Sequence, residues 1–199
     1  MAKQNHIITL RIDIAHIEPR IWRRIAIDSD VSLRALHHVI QAAFGWTDAH
    51  LHEFQIEDYT YSMLDNGNVL ESSYDSGEEL RDDRKGKLNR LLYVGQRFTY
   101  QYDFGDSWMH VIHVESIEQC PEPMGSAQII DGKRACPPED VGGAGGYNDF
   151  LITLQDEPDS PEAKDYLRWL GDPFDPEAFD QRMANATLLR MAWNGWGRK

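Results

Sequence analysis

Ile7-Ile8-Thr9-Leu10-Arg11-Ile12-Asp13-Ile14, then Glu18-Pro19, then Ile21-Trp22-Arg23-Arg24-Ile25-Ala26-Ile27, is the stretch that decides the fold. Ile8, Leu10, Ile12 and Ile14 alternate with polar neighbours, the period of a half-buried strand. Glu18-Pro19 breaks the run and Ile21, Ile25 and Ile27 restart it, so the opening reads as a hairpin. Downstream, Ser32 caps a helix with Leu33, Leu36, His37, Ile40 and Phe44 on one face, stopped by Gly45. His50 to Ile56 returns to strand character. Residues 64–87, with Asn66-Gly67, Ser72-Ser73 and Ser76-Gly77, read as a long exposed loop before Leu88, Leu91 and Leu92 re-enter the core. Phe98, Tyr100 and Tyr102 alternate, Phe104-Gly105-Asp106 turns, and Trp108 to Val114 runs back. Residues 118–146 are rich in Pro and Gly, too long for an ordinary connector, and read as a functional or partner-bound loop. Tyr147, Phe150, Leu151 and Leu154 then have helical spacing. Ser160-Pro161-Glu162 starts a helix stopped by Gly171, and Asp175-Pro176-Glu177 starts another leading to Phe179 and Met183. Strands first and helices last predict a single α+β domain over 1–199. Its N-terminal strands and helix build a mixed or antiparallel sheet, and its C-terminal region is helical.

Of the 199 residues, 41% are hydrophobic and 27% charged, which excludes collagen-like and wholly disordered chains. No apolar run approaches the ~18 residues of a membrane helix. Met1 to Asn5 lacks a signal peptide's apolar core, so a cytoplasmic protein off the membrane is expected, with Cys120 and Cys136 reduced. The net charge is −13, and residues 96–199 carry 18 acidic against 9 basic groups. That field repels phosphate backbones, so nonspecific duplex DNA is not an expected partner. Arg20, Arg23 and Arg24 around Trp22 form a basic cluster, read as an exposed or salt-bridged strand edge.

Several blocks together resemble the plasmid pRiA4b ORF-3-like family over roughly residues 7–180. They are Leu10-Arg11-Ile12 with Glu18-Pro19-Arg20-Ile21-Trp22-Arg23-Arg24, Leu36-His37 with Phe44-Gly45-Trp46, and His50-Leu51-His52-Glu53-Phe54. The others are Tyr100 to His110 and Ala135-Cys136-Pro137-Pro138-Glu139-Asp140-Val141-Gly142-Gly143, ending at Gly146-Tyr147. The resemblance implies a compact α+β domain, and some members are associated with mobile elements. Many members carry cysteines where this chain has Ile129 and Val141. With Cys136 alone in that block, a thiolate zinc site is disfavoured.

His50 and His52 are the sharpest chemical signal. Two residues apart on a strand they share a face, roughly 6.6–6.8 Å apart. With Asp103, Asp106 and His110 they would make a mixed nitrogen/oxygen site suited to zinc or manganese. The structural alternative has both histidines hydrogen-bonding within a sheet beside Phe54 and Ile56. His37, on the apolar helix face, reads as a satisfied core histidine. In the 103–106 turn Gly105 can take positive φ, and an Asp beside it can hydrogen-bond the turn backbone. Pro137-Pro138 sets an extended backbone, and Glu139 and Asp140 can charge the N-terminus of the next helix. Gly142, Gly143, Gly145 and Gly146 let amides approach an anion, but the Walker lysine and the dinucleotide pattern are absent. Trp46, Trp108, Glu139, Asp140 and Tyr147 are candidate binding residues. Two functions follow. The first is a non-enzymatic accessory protein that binds a protein partner, supported by acidity and the long Pro/Gly loop. The second is a metal-dependent hydrolase, for example of phosphoesters, using the His/Asp site and Glu139. A DNA-transaction role follows only from the mobile-element association.

Overall fold

The computed structural model describes residues 4–65, 68–69, 80–171 and 173–195. The opening hairpin forms: β1 (Asn5–Ile14) pairs antiparallel with β2 (Trp22–Asp28), placing Ile8 opposite Ile27 and Leu10 opposite Ile25. Ile8, Leu10 and Ile12 are fully buried, because alternation sends every second side chain to the covered face. Helix α1 (Leu33–Phe44) begins where Ser32 accepts the amide of Ala35 and ends at Gly45 in the left-handed region. Strands β3 (His52–Ile56) and β4 (Tyr59–Ser62) follow, then the short pair β5 (Leu64–Asp65) and β6 (Asn68–Val69), then β7 (Leu80–Asp82). After α2 (Leu88–Leu91), β8 (Arg97–Tyr102) and β9 (Trp108–Cys120) form the expected second hairpin. Strand β10 (Gln128–Lys133) precedes α3 (Gly143–Asp156), α4 (Pro161–Leu170) and α5 (Gln181–Trp193).

Among the described residues one mixed sheet of eight strands runs β10-β2-β1-β9-β8-β3-β4-β7, antiparallel except for the parallel pair β4 and β7. With five helices beside it, this is an α+β domain. No helix among the described residues is long and apolar enough to cross a membrane. The register lines up Ile14, His110, Tyr100, Phe54 and Tyr61 across five strands, with Trp108, Tyr102 and His52 in a neighbouring row. These aromatic rows floor the region where the site lies.

Four local expectations are corrected. The 118–146 stretch contains β10, which pairs with β2, so Trp22–Asp28 is an interior strand rather than an edge. Arg23 accordingly is 2% exposed instead of lying on the surface with Arg20 and Arg24. The charged end of the 64–87 loop is not all solvated: β7 joins the sheet and Asp83 is fully buried. Asn66-Gly67, Ser72-Ser73 and Ser76-Gly77 lie outside the described residues. Pro176-Glu177 forms only a turn, and α5 starts later, where Asp180 caps the amides of Arg182 and Met183.

Candidate functional site

The loop 45–51 between α1 and β3 spends its polar groups on its surroundings. Trp46 Nε1 donates to the carbonyl of Pro137 at 3.1 Å, and the Thr47 amide and hydroxyl donate to Glu139 Oε1 at 2.8 and 3.1 Å. Asp48 takes the left-handed conformation and the Ala49 amide donates to the Tyr102 hydroxyl. These bonds bring the loop against the 137–140 segment, far away in sequence. Tyr102 donates to Glu139 in turn, and burial first, then the Glu139 charge, holds its phenol well above the usual range and protonated.

His50 projects from this loop. Its Nε2 lies 3.2 Å from Asp140 Oδ1, 3.7 Å from Asp103 Oδ2 and 3.8 Å from Glu139 Oε2. Asp103 sits in the β8–β9 turn, where its Oδ1 accepts the Gly105 amide and its Oδ2 is left for His50. The positive φ of that turn falls on Asp103 and Ser107 rather than on Gly105, while the Asp103 bond to the turn backbone forms as read from the sequence. Asp140 is also left-handed, and the chain then enters the glycine run that opens α3. Tetrahedral coordination at ~2.0–2.2 Å puts ligand atoms about 3.5 Å apart, so His50, Asp103 and Asp140 need little movement to surround one ion. Asp103 is buried, His50 is partly covered and Asp140 is exposed, so an ion can enter from solvent on the Asp140 side.

The other predicted ligands go elsewhere. His50 precedes β3, so it and His52 do not share a strand face. His52 is buried, its Nε2 bonds Asp83 at 2.9 Å, and its ring stacks on His37 at 3.5 Å and 8°. Arg34 closes on the same carboxylate at 2.7 and 2.8 Å. Burial alone would raise the pKa of Asp83; the bonds from His52 and Arg34 outweigh it and hold it below the ordinary value. Asp106 accepts the Gly142 amide at 3.0 Å, a structural bond between the turn and the α3 entrance. His110 is fully buried against Trp46 and Phe44 and donates through Nδ1 to the Trp108 carbonyl. Of the binding candidates, Trp46, Trp108 and Tyr147 are buried wall material, whereas Glu139 and Asp140 face His50.

Reading the sequence missed Asp48, which His37 Nε2 meets at 2.7 Å and His38 Nδ1 at 3.2 Å. His37 is a satisfied core histidine as expected, its Nδ1 bonding Tyr100 at 2.8 Å. The paired His37-His38 followed by Asp48 just past the helix stop was the available signal. Asp83 gave none, because a buried carboxylate inside Arg81-Asp82-Asp83-Arg84-Lys85 looks like any solvated charge run.

The profile of the plasmid pRiA4b ORF-3-like protein family matches residues 6–183. The chain belongs to this family. Among relatives of this pRiA4b ORF-3-like protein is the uncharacterized protein y4hQ of Sinorhizobium fredii (strain NBRC 101917 / NGR234), 33% identical over 198 residues. That match covers 97% of this chain and 95% of y4hQ. Among solved structures, the protein of unknown function MM3350 from Methanosarcina mazei Go1 superposes with a TM-score of 0.78 at 33% identity. It covers 90% of this pRiA4b ORF-3-like chain and 98% of MM3350.

Proposed function

We propose that this pRiA4b ORF-3-like protein binds one divalent cation, zinc or manganese, through His50, Asp103 and Asp140 and acts as a metal-dependent hydrolase. The observation that carries the reading is the convergence on His50 Nε2 of three carboxylates from two segments remote in sequence. Three protein ligands with a position left open is the pattern of a catalytic rather than a structural metal. A cation held by these residues would polarise a substrate carbonyl and lower the pKa of a water in the open position. Glu139 Oε2 lies beside the ligands while its Oε1 is fixed by Thr47 and Tyr102, so it is oriented to accept that water's proton.

Calorimetry with Zn²⁺ and Mn²⁺ on untagged protein should give about one equivalent bound by the ligand count above. His50→Ala/Asp140→Asn should lose it while the circular dichroism stays native. Metal-dependent turnover of p-nitrophenyl acetate should vanish in Glu139→Gln with the metal retained. Wild-type protein that binds neither ion ends the reading.

A second reading, a non-enzymatic accessory protein that docks on a protein partner, is favoured by one observation: α5 exposes Met183, Leu189 and Trp193. Isolated surface hydrophobes are common, so this support is the weaker of the two.

A further inference from the structure

A groove of about 600 Å³ opens beside the proposed metal centre and shares Asp140 with it. Its other side is the exposed face of α4, which contributes Glu162, Asp165, Tyr166 and Trp169. Three carboxylates and two aromatic rings line it, and none of its lining residues is basic. Trp169 is 49% exposed and lines the groove, so its ring is accessible there. The two basic side chains of α4, Lys164 and Arg168, do not line the groove. Lys164 Nζ is spent on the Asp159 carbonyl, and Arg168 meets Asp165 at 2.6 Å in a surface pair between two exposed side chains. Such pairs contribute little and exchange readily.

Aromatic faces beside carboxylates suit a cation with an apolar stem, since the ring quadrupole and the negative charges both attract it. The charge of the adjoining centre points the same way. Asp103, Glu139 and Asp140 carry three negative charges, so a divalent ion leaves that cluster net negative, and Glu162 adds to it, whereas Asp165 shares its charge with Arg168. A phosphoester would approach against this field; a basic group approaches with it.

We propose that the groove binds an arginine or lysine side chain of a basic peptide segment, which sets the peptide rather than a phosphoester over the metal centre. The assignment of a substrate to the centre rests on the metal-hydrolase reading; the binding itself does not.

The test is fluorescence anisotropy with a fluorescein-labelled tetrapeptide containing one arginine, measured with EDTA and again with Mn²⁺, against the same peptide with citrulline. Arginine peptide should bind in both conditions, and citrulline should bind at least tenfold more weakly. Trp169→Ala, which leaves every charge in place, should weaken binding about five- to tenfold, in the range of a partly desolvated cation–π contact. Glu162→Gln/Asp165→Asn should weaken it similarly. No binding, equal binding of citrulline peptide, or undiminished binding by Trp169→Ala overturns the groove assignment. If the arginine peptide binds as described but calorimetry finds no metal, the hydrolase reading falls and the groove stands as a peptide site.

Discussion

At Asp83 one carboxylate holds Arg34 and His52 in the core, and His52 in turn stacks on His37. Removing a single partner from such a buried arrangement strands the others, which costs more than the pair itself contributes. Asp83→Asn should therefore lower stability by about 3 kcal/mol, read as a reduced urea midpoint at unchanged slope. The same residues mark where sequence reading ends. Residue type and local context join His50, Asp103 and Glu139 in the hydrolase reading, whereas Asp140 stands apart as a binding residue. Their convergence depends on Thr47 and Tyr102 fastening Glu139 beside the 45–51 loop, a tertiary contact with no local trace. His52 shows the opposite case. Its spacing from His50 promised a shared face, but the strand begins only at His52, and a strand's first residue is the boundary that periodicity fixes least well.

Elements were more legible where their ends carry chemistry. Ser32 with Gly45 bounds α1, and Ser160-Pro161 with Gly171 bounds α4, because a hydroxyl acceptor, a fixed φ and a left-handed stop each satisfy a specific orphaned group. Strand β10 was hidden because Gln128-Ile129-Ile130-Asp131-Gly132-Lys133 lies among prolines and glycines and its pairing with β2 includes an irregular register. The start of α3 is set by close approach. Gly143 has a φ of 67°, and a Cβ there would run into the backbone carbonyl of Asp106, the residue whose carboxylate also holds Gly142. Gly143→Ala should cost more than about 1 kcal/mol, since backbone strain and the steric clash add. Because the displaced segment carries Asp140, calorimetry on this variant should also show weakened zinc binding.

At the scale of the whole molecule, three histidines among the described residues are buried: His37, His52 and His110. Burial is the largest influence on each and lowers all three pKa values, to about 3 at His37 and about 4 at His110. In the unfolded chain these rings take up protons near ~6.5, while in the folded protein they resist until lower pH. Their contribution to stability is thus complete above ~6.5 and is lost as pH falls toward the folded values, at about 1.4 kcal/mol per pH unit for each ring. Urea midpoints measured from pH 7.5 down to 5 should fall steadily. A flat profile would mean the rings are hydrated or already charged in the folded state.

Among the described residues, Arg23 has no carboxylate as a hydrogen-bond acceptor. Its guanidinium donates to the carbonyls of Trp22, Ala43, Lys133 and Arg134, drawing β2, the end of α1 and the segment after β10 together, and it lies 3.9 Å from the centre of the Phe179 ring. Burial lowers its pKa to about 10, so it stays charged at neutral pH. Ionic strength separates this seam from the outer face. Dissolved salt screens surface pairs such as Arg24 with Glu115, but it has little access to a desolvated charge bound to backbone dipoles. It also screens the self-repulsion of a chain carrying −13. The fold is thus built to tighten rather than loosen as a brine is concentrated around it.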